Sequence, residues 1–135
     1  MDVEVPVDGL DLSDVSMVAG WAMNDELLRR LAAEGFDDLR LHDGVVFQHV
    51  LAAPLSITEL AGRMGVTQQA ASKAVADLQR RDLLVRRPSD TDGRARLLHL
   101  TERGRAAVAA GRRHRAELDA ELAGALGPDR VAAAR

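Results

Sequence analysis

The fold is decided by residues 56–101, which read SITELAGRMGVTQQAASKAVADLQRRDLLVRRPSDTDGRARLLHLT. Near its start, Ser56 is followed three residues later by Glu59, which is the capping-box pattern at a helix N-terminus. The pattern predicts a short helix over 57–64, with apolar residues at helical spacing. Gly65 can adopt the left-handed conformation that ends such a helix.

A second helix is predicted immediately afterwards, over 68–81, with Thr67 as its N-cap. Its polar face carries short or amide-bearing side chains at the N-terminal end: Gln68, Gln69, Ser72 and Lys73. Such side chains can read base edges in the major groove, and Thr67 with the helix N-terminus can contact phosphate. The alternative interpretation is that they form only the solvated face of an amphipathic helix.

Two strands are predicted next, over 83–87 and 94–100, joined by a connection rich in turn residues. Two helices followed by a hairpin are the outline of a winged helix-turn-helix. Arg94 and Arg96 lie in the outer half of the hairpin, and an arginine held there can enter a narrow minor groove. We expect Asp92 to orient Arg94 by pairing with it. The alternative is that both arginines are merely solvated.

The charge distribution agrees with a nucleic-acid partner. From Arg63 to Arg115 there are 13 Arg and Lys against 5 Asp and Glu, a net charge of +8, although the whole chain carries −3. This basic block contains no aromatic residue, and single-stranded nucleic acid is bound by stacking its bases on aromatic rings. Double-stranded DNA is therefore the expected partner.

Helices are predicted on both sides of this stretch. The first runs from Ser13, as its N-cap, to about Glu34, and the second covers 38–52. A long helix follows over 102–126 and ends at Gly127, before a further helical segment. The expected fold class is thus mainly α with a small β-hairpin.

The length of 135 residues fits a single domain. We divide it into N-terminal helices (12–55), the winged helix-turn-helix (56–101) and a C-terminal helical region (102–135). Apolar stripes near both ends cannot all be buried by the central part, so a homodimer is expected to cover them. The stripes comprise Val15, Val18, Ala22, Leu118, Leu122 and Leu126.

Composition narrows the function classes. The chain is 47% apolar and 29% charged, which is typical of a globular protein, and it contains no cysteine. It has no apolar run of membrane-spanning length and no basic N-terminal leader, so we expect a cytoplasmic protein without membrane contact. No nucleophile–base–acid arrangement, phosphate loop or metal-ligand spacing is present, so we expect neither an enzyme nor a cofactor nor a metal site.

A few residues outside this stretch are weaker candidates. His42 and His49 share a helix face, but no acidic or cysteine partner accompanies them, so solvated or core-edge histidines are favoured over metal ligands. Trp21, His42 and Phe47 could line an apolar ligand pocket, and ordinary core packing is at least as good an interpretation.

The sequence resembles the MarR family of bacterial transcriptional regulators. The resemblance covers about residues 56–104 and depends on Gly65-Val66-Thr67 before the polar helix, on the Asp-x-Arg motif of Asp92 and Arg94, and on Leu100-Thr101 followed by Gly104. It implies a homodimer built from the first and last helices, two winged helices on a palindromic DNA site, and a small aromatic or lipophilic ligand that relieves repression. It also implies that Arg94 and the helix starting at Gln68 contact DNA.

The chain departs from the family pattern at two places. Gly93 stands where many relatives carry a second arginine, and the C-terminal helix is short. Two other functions remain open from the sequence, namely a winged helix that binds protein, and an architectural DNA binder without a ligand.

Overall fold

A computed structural model of the chain describes residues 8–135. This part contains six helices and one two-stranded antiparallel sheet. The elements are α1 (Leu12–Ala33), α2 (Asp43–Ala52), α3 (Ile57–Met64), α4 (Gln68–Arg80), β1 (Leu84–Pro88), β2 (Arg96–Leu100), α5 (Glu102–Leu126) and α6 (Pro128–Ala133). The predicted fold class, mainly α with a small hairpin in a winged helix-turn-helix, is confirmed. Within residues 8–135, no helix is long and apolar enough to cross a membrane.

The predicted caps of the helix-turn-helix are present. The Ser56 hydroxyl accepts a hydrogen bond from the Glu59 amide at 3.2 Å, and the Glu59 carboxylate accepts one from the Ser56 amide at 2.7 Å. Gly65 has a φ of 65°, which is the left-handed conformation that the turn requires. The Thr67 hydroxyl accepts from the Ala70 amide at 3.1 Å and so caps α4.

The hairpin is shorter at its tip than predicted. β2 begins at Arg96 rather than at residue 94, because the Ala95 amide donates to the Asp92 carbonyl at 3.0 Å and closes a turn. On the other side of β2, the Leu98 amide donates to the Leu55 carbonyl at 2.8 Å. This additional bridge anchors the hairpin to the segment before α3, and the sequence did not predict it.

Two apolar clusters hold the chain together. The larger one joins α2, α3, α4, the hairpin and the start of α5, and its most completely buried side chains are Leu55, Leu60, Leu78, Leu83, Leu98 and Val75. The smaller one joins the second half of α1 to α5 through Leu27, Leu31 and Ala110. Leu118 packs against this smaller cluster, so part of the C-terminal stripe is covered within the chain itself.

Two helix starts were predicted wrongly. The N-cap of α1 is Asp11 rather than Ser13, because the Asp11 carboxylate accepts from the Asp14 amide at 3.0 Å. α2 begins at Asp43, five residues later than predicted. Tertiary contacts hold the preceding segment as a turn, since the Asp38 carbonyl accepts a hydrogen bond from an arginine of another element and Leu39 packs against the core.

The Leu-Thr-x-x-Gly stretch has a structural role at the junction of hairpin and α5. The Thr101 hydroxyl accepts from the Gly104 amide at 2.9 Å and donates to the Asp82 carbonyl at 2.5 Å, so it both caps α5 and ties it to the end of α4. A Cβ atom at Gly104 would overlap the Leu83 carbonyl oxygen, which is backbone and cannot rotate away. Glycine is therefore required here for close approach rather than for an unusual φ.

We predict that Gly104→Ala lowers the free energy of unfolding by about 1–3 kcal/mol, the typical cost of overpacking. Gly62→Ala is the matched control, because a Cβ at this helical glycine meets no atom within 4 Å. The control should raise stability by about 0.5–1 kcal/mol, since alanine favours the helix. Urea denaturation of both variants tests this, and equal stabilities would contradict it.

Candidate nucleic-acid interface

The predicted reading residues lie together at the N-terminal end of α4. Gln68, Gln69 and Lys73 are exposed and Ser72 is half-buried, whereas the opposite face of the helix is buried through Ala71, Val75 and Leu78. We call the set Gln68, Gln69, Ser72 and Lys73 the reading face. Thr67 directly precedes it, but its hydroxyl already caps the helix. A contact from Thr67 to phosphate would therefore use the hydroxyl proton, which the cap leaves free.

The tip of the hairpin is an ordered turn with two exposed arginines. The Ser89 amide donates to the Ala95 carbonyl at 2.9 Å, and the Ser89 hydroxyl accepts from the Asp92 amide at 3.3 Å. Arg94 and Arg96 both extend into solvent from this turn. A turn fixed by several backbone contacts presents its arginines with less conformational freedom than an open loop would.

Asp92 positions Arg94 differently from the sequence-based expectation. Its carboxylate accepts a hydrogen bond from the backbone amide of Arg94 at 3.1 Å. Among the ion pairs formed within residues 8–135, none joins Asp92 to the Arg94 guanidinium. Asp92 thus shapes the backbone of the turn and leaves the guanidinium of Arg94 available to another partner.

Three further cations lie on these elements and were not predicted from the sequence. Arg63 is exposed in the last turn of α3, and Arg86 and Arg87 are exposed on β1. Arg86 lies opposite Leu98 in the register, so it shares a sheet face with Arg96, two residues from Leu98. The two-residue alternation of β1 could have identified Arg86 as a neighbour of the predicted wing arginine.

These cations differ from the arginines that join helices. Within the described part of the chain, Lys73, Arg86, Arg87, Arg94 and Arg96 take part in no ion pair. The arginines that connect elements are instead paired with carboxylates, as in Arg30–Glu121 at 2.8 Å, Arg103–Asp38 at 2.8 Å and Arg113–Glu34 at 2.6 Å. The positive charge of these five side chains is therefore not neutralised within the described part of the chain.

The C-terminal end of α4 is organised by acidic residues. Arg80 is exposed and donates to Asp77 at 2.9 Å. Hydrogen bonds from Arg81, and more weakly from Arg80, hold the pKa of the Asp77 carboxyl below its ordinary value. Asp77 is thus a stable anion at neutral pH, and it reduces the charge that Arg80 can offer to DNA.

The three candidate ligand residues are not brought together. Phe47 is buried and lines a cavity of about 100 Å³ between α1, α2 and α5, whose walls also include Leu28, Leu39 and Arg112. Trp21 is 59% exposed on α1, and His42 is exposed at the N-cap of α2; neither lines this cavity. In residues 8–135, no group of three or more potential metal-ligating side chains comes together.

The first half of α1 has no partner within the described chain. The first buried side chain of α1 is Leu27, and the contacts with α5 continue through Arg30 and Leu31 to the C-cap residue Glu34. Before that point, large apolar side chains stand in solvent: Leu12, Val15, Met17, Trp21 and Met23. The sequence had indicated an unburied stripe here, and the structure adds Leu12, Met17, Trp21 and Met23 to it.

Comparison with known proteins agrees with the fold. Residues 39–95 match the family model described as the MarR family. No curated protein matches the sequence significantly. Among solved structures, a protein from Mycobacterium tuberculosis is 23% identical, with a TM-score of 0.70 over 87% of this chain and 80% of that one.

Two other solved structures carry informative descriptions. A mutant of MepR from S. aureus, bound to an oligodeoxyribonucleotide, is 19% identical, with a TM-score of 0.67 over 90% of this chain and 88% of that one. A MarR-like transcriptional regulator from Thermotoga maritima is 20% identical, with a TM-score of 0.64 over 92% and 90%.

At these sequence identities the structural likeness establishes the fold. The family match covers α2, α3, α4, β1 and the turn that follows β1. The match also ends at residue 95, within the turn that presents Arg94. Residues 39–95 therefore match the MarR family, and the described chain shares the winged-helix fold of MarR-like transcriptional regulators.

Proposed function

We propose that this protein is a sequence-specific regulator that binds double-stranded DNA as a homodimer and represses transcription from a palindromic operator. The observation that carries the proposal is a set of exposed cations next to an amide-rich helix face. They have no carboxylate partner among the described residues, and they are Lys73, Arg86, Arg87, Arg94 and Arg96. Unneutralised cations favour phosphate, and amides favour base edges. Repression, as the direction of regulation, rests on the family resemblance alone.

Each part has an expected role in the complex. The reading face enters the major groove, where glutamine can pair bidentately with adenine. Arg94 enters the adjacent minor groove, and Arg96 contacts the backbone there. Lys73, Arg86 and Arg87 supply phosphate contacts, which give most of the affinity and its dependence on salt. With DNA as the partner, the cytoplasm is the expected location, and a regulatory rather than a catalytic role is proposed.

An effector is part of the proposal. The cavity lined by Phe47 has an apolar floor and polar groups that include Arg112 and Arg115. At about 100 Å³ it is smaller than the roughly 300–1,000 Å³ typical of small-molecule sites, so it fits only a ligand near the size of benzene unless the helices separate. Asp43 lies in the wall of the cavity and pairs with Arg81 at the end of α4. A ligand that displaced Asp43 would therefore shift α4, the proposed DNA-binding helix.

The first test is selection of bound duplexes from a random pool, followed by affinity measurements over a range of salt concentrations. We expect an enriched inverted repeat, and Arg94→Ala should weaken binding to it by on the order of 1–3 kcal/mol per half-site. Asp92→Ala should weaken it less, because that carboxylate contacts only the backbone amide of Arg94.

Failure to enrich any duplex, with no salt-dependent binding, would contradict the proposal and favour a winged helix that binds protein. Binding to all duplexes with equal affinity would instead favour an architectural role.

The reading face is tested by alanine substitutions at Gln68, Gln69 and Ser72, measured on a panel of single-base variants of the selected site. We expect each to change the preference at particular base positions by about 1–3 kcal/mol, because base-edge contacts carry the sequence information. Arg80→Ala is the comparison, and it should lower affinity about evenly across the panel. An even loss for the first three would show that they do not read bases.

The dimer is tested with Met17→Asp combined with Trp21→Asp. Both side chains are about half exposed on one face of α1, so a single protomer should tolerate the change. We expect light scattering to report a monomer with the wild-type helix content, and the dissociation constant for the operator to rise to the roughly 10⁻⁶–10⁻⁴ M of non-specific binding.

Leu51→Asp is the control, because Leu51 is similarly exposed but lies on α2. Leu118 is unsuitable for this test, since it packs within the protomer. A wild-type protein that remained monomeric at micromolar concentration and still bound an inverted repeat tightly would contradict the dimer.

A further inference from the structure

Arg81, the residue that ends α4, is fully engaged by acceptors from three different parts of the chain. Its Nη1 and Nη2 donate to the two carboxylate oxygens of Asp43 at 2.7 and 2.8 Å. Nη1 also donates to the Asp38 carbonyl at 2.8 Å, and Nε and Nη2 donate to Asp77 at 3.1 and 2.6 Å. These five bonds use all five donors of a guanidinium, so none remains for DNA.

Asp43, the main acceptor, is held in place as firmly as Arg81. The side chain of Asp43 is 8% exposed and that of Arg81 is 11% exposed. Asp43 also accepts from the Arg40 backbone amide at 2.8 Å, which fixes the start of α2. A planar guanidinium facing a planar carboxylate allows only a narrow range of orientations. The Arg81–Asp43 pair therefore fixes the orientation of the end of α4 relative to α2 as well as their separation.

α5 also contacts the C-terminal end of α4, through Arg103. Arg103 donates to the backbone carbonyl of Arg81 at 2.8 Å and pairs with Asp38 at 2.8 Å, while its guanidinium lies 5.6 Å from the centre of the Phe36 ring. The carbonyl at a helix C-terminus otherwise lacks a partner. The C-terminal end of α4 is therefore tied to α2, to α5 and to the segment between α1 and α2.

The apolar contacts of α4 specify its orientation less strictly. The buried stripe of α4 consists of Ala71, Val75 and Leu78, and contacts between apolar side chains are not directional. A small rotation of α4 about its own axis would therefore disturb the bidentate pair at Arg81 more than it disturbs these contacts. That rotation would also turn the reading face away from the base edges.

We propose that Arg81 is a positioning residue for DNA reading, whose paired contact with Asp43 sets the orientation of α4 in the major groove although Arg81 itself does not touch DNA. The inference rests on the proposed DNA-binding function. Buried ion pairs contribute little net stability compared with apolar residues of the same size, so a role in specifying geometry fits this pair better than a role in stability alone.

The experiment compares Arg81→Lys with Arg80→Lys on the operator selected by the wild-type protein and on a scrambled duplex. Lysine keeps the charge at position 81 but cannot span Asp43, Asp38 and Asp77 together. For Arg81→Lys we expect the operator-to-scrambled affinity ratio to fall about tenfold, with the salt dependence of binding unchanged because no phosphate contact is lost. For Arg80→Lys we expect the ratio to stay at the wild-type value.

Asp43→Asn provides the second variant, since asparagine is isosteric and retains an acceptor for the Arg40 amide. It should reduce the affinity ratio as Arg81→Lys does, and the double variant should lose little more, because both changes break one contact. Affinities are corrected for the folded fraction measured by circular dichroism, so that a purely structural effect leaves the ratio at its wild-type value.

The outcomes separate this inference from the function on which it rests. A wild-type protein without operator preference would overturn the proposed function and the inference together. A wild-type protein with operator preference, together with an unchanged ratio in both Arg81→Lys and Asp43→Asn, would overturn the inference only. A reduced salt dependence in Arg81→Lys would also overturn it, because Arg81 would then be a phosphate contact.

Discussion

The arrangement of the DNA-binding elements depends on the contact of one guanidinium with acceptors from three parts of the chain. Arg81 joins the end of α4 to Asp43 in α2 and to Asp38 in the segment before it, and Arg103 of α5 binds the carbonyl of the same residue. α4, α2 and α5 therefore meet at this position. α2 and α5 also line the cavity, so the cavity and the C-terminal end of α4 share the same two supporting helices.

The sequence contains seventeen arginines that show no evident distinction, but the structure separates those that form ion pairs from those that do not. Those that join helices are held by carboxylates, and their charge is neutralised locally. The arginines of the hairpin, like Lys73 on α4, have no carboxylate partner in the described chain, and this difference produces a basic surface on a protein of net charge −3. The distribution of partners, rather than the count of cations, identifies the candidate interface.

Sequence reasoning succeeded where the structure is determined by local contacts. The capping box of Ser56, the turn at Gly65 and the cap at Thr67 need only residues within a few positions of one another, and all are present as predicted. It failed where the local structure depends on residues that are distant in the sequence. The delayed start of α2 results from contacts to Arg81, 38 residues or more along the chain, and the bridge from Leu55 to Leu98 spans 43 positions.

In the candidate site, too, some features could be predicted from the sequence and others could not. The reading face could be predicted, because helical periodicity alone places Gln68 and Ser72 on one side. The contact of Asp92 with the backbone amide of Arg94 could not be, since a sequence does not distinguish a carboxylate that binds a side chain from one that closes a turn. The paired role of Arg81 was hidden for a similar reason, because its neighbour Arg80 has the same side chain and is exposed.

The central claim is that two copies of this winged helix read one DNA site from both grooves. Footprinting of the selected duplex, with hydroxyl radicals for the backbone and purine methylation for the grooves, tests it most directly. The account predicts two symmetric segments of major-groove protection about 10 bp apart, each flanked by minor-groove protection that Arg94→Ala removes. A single protected segment, or protection confined to the backbone with no groove contact, would contradict it.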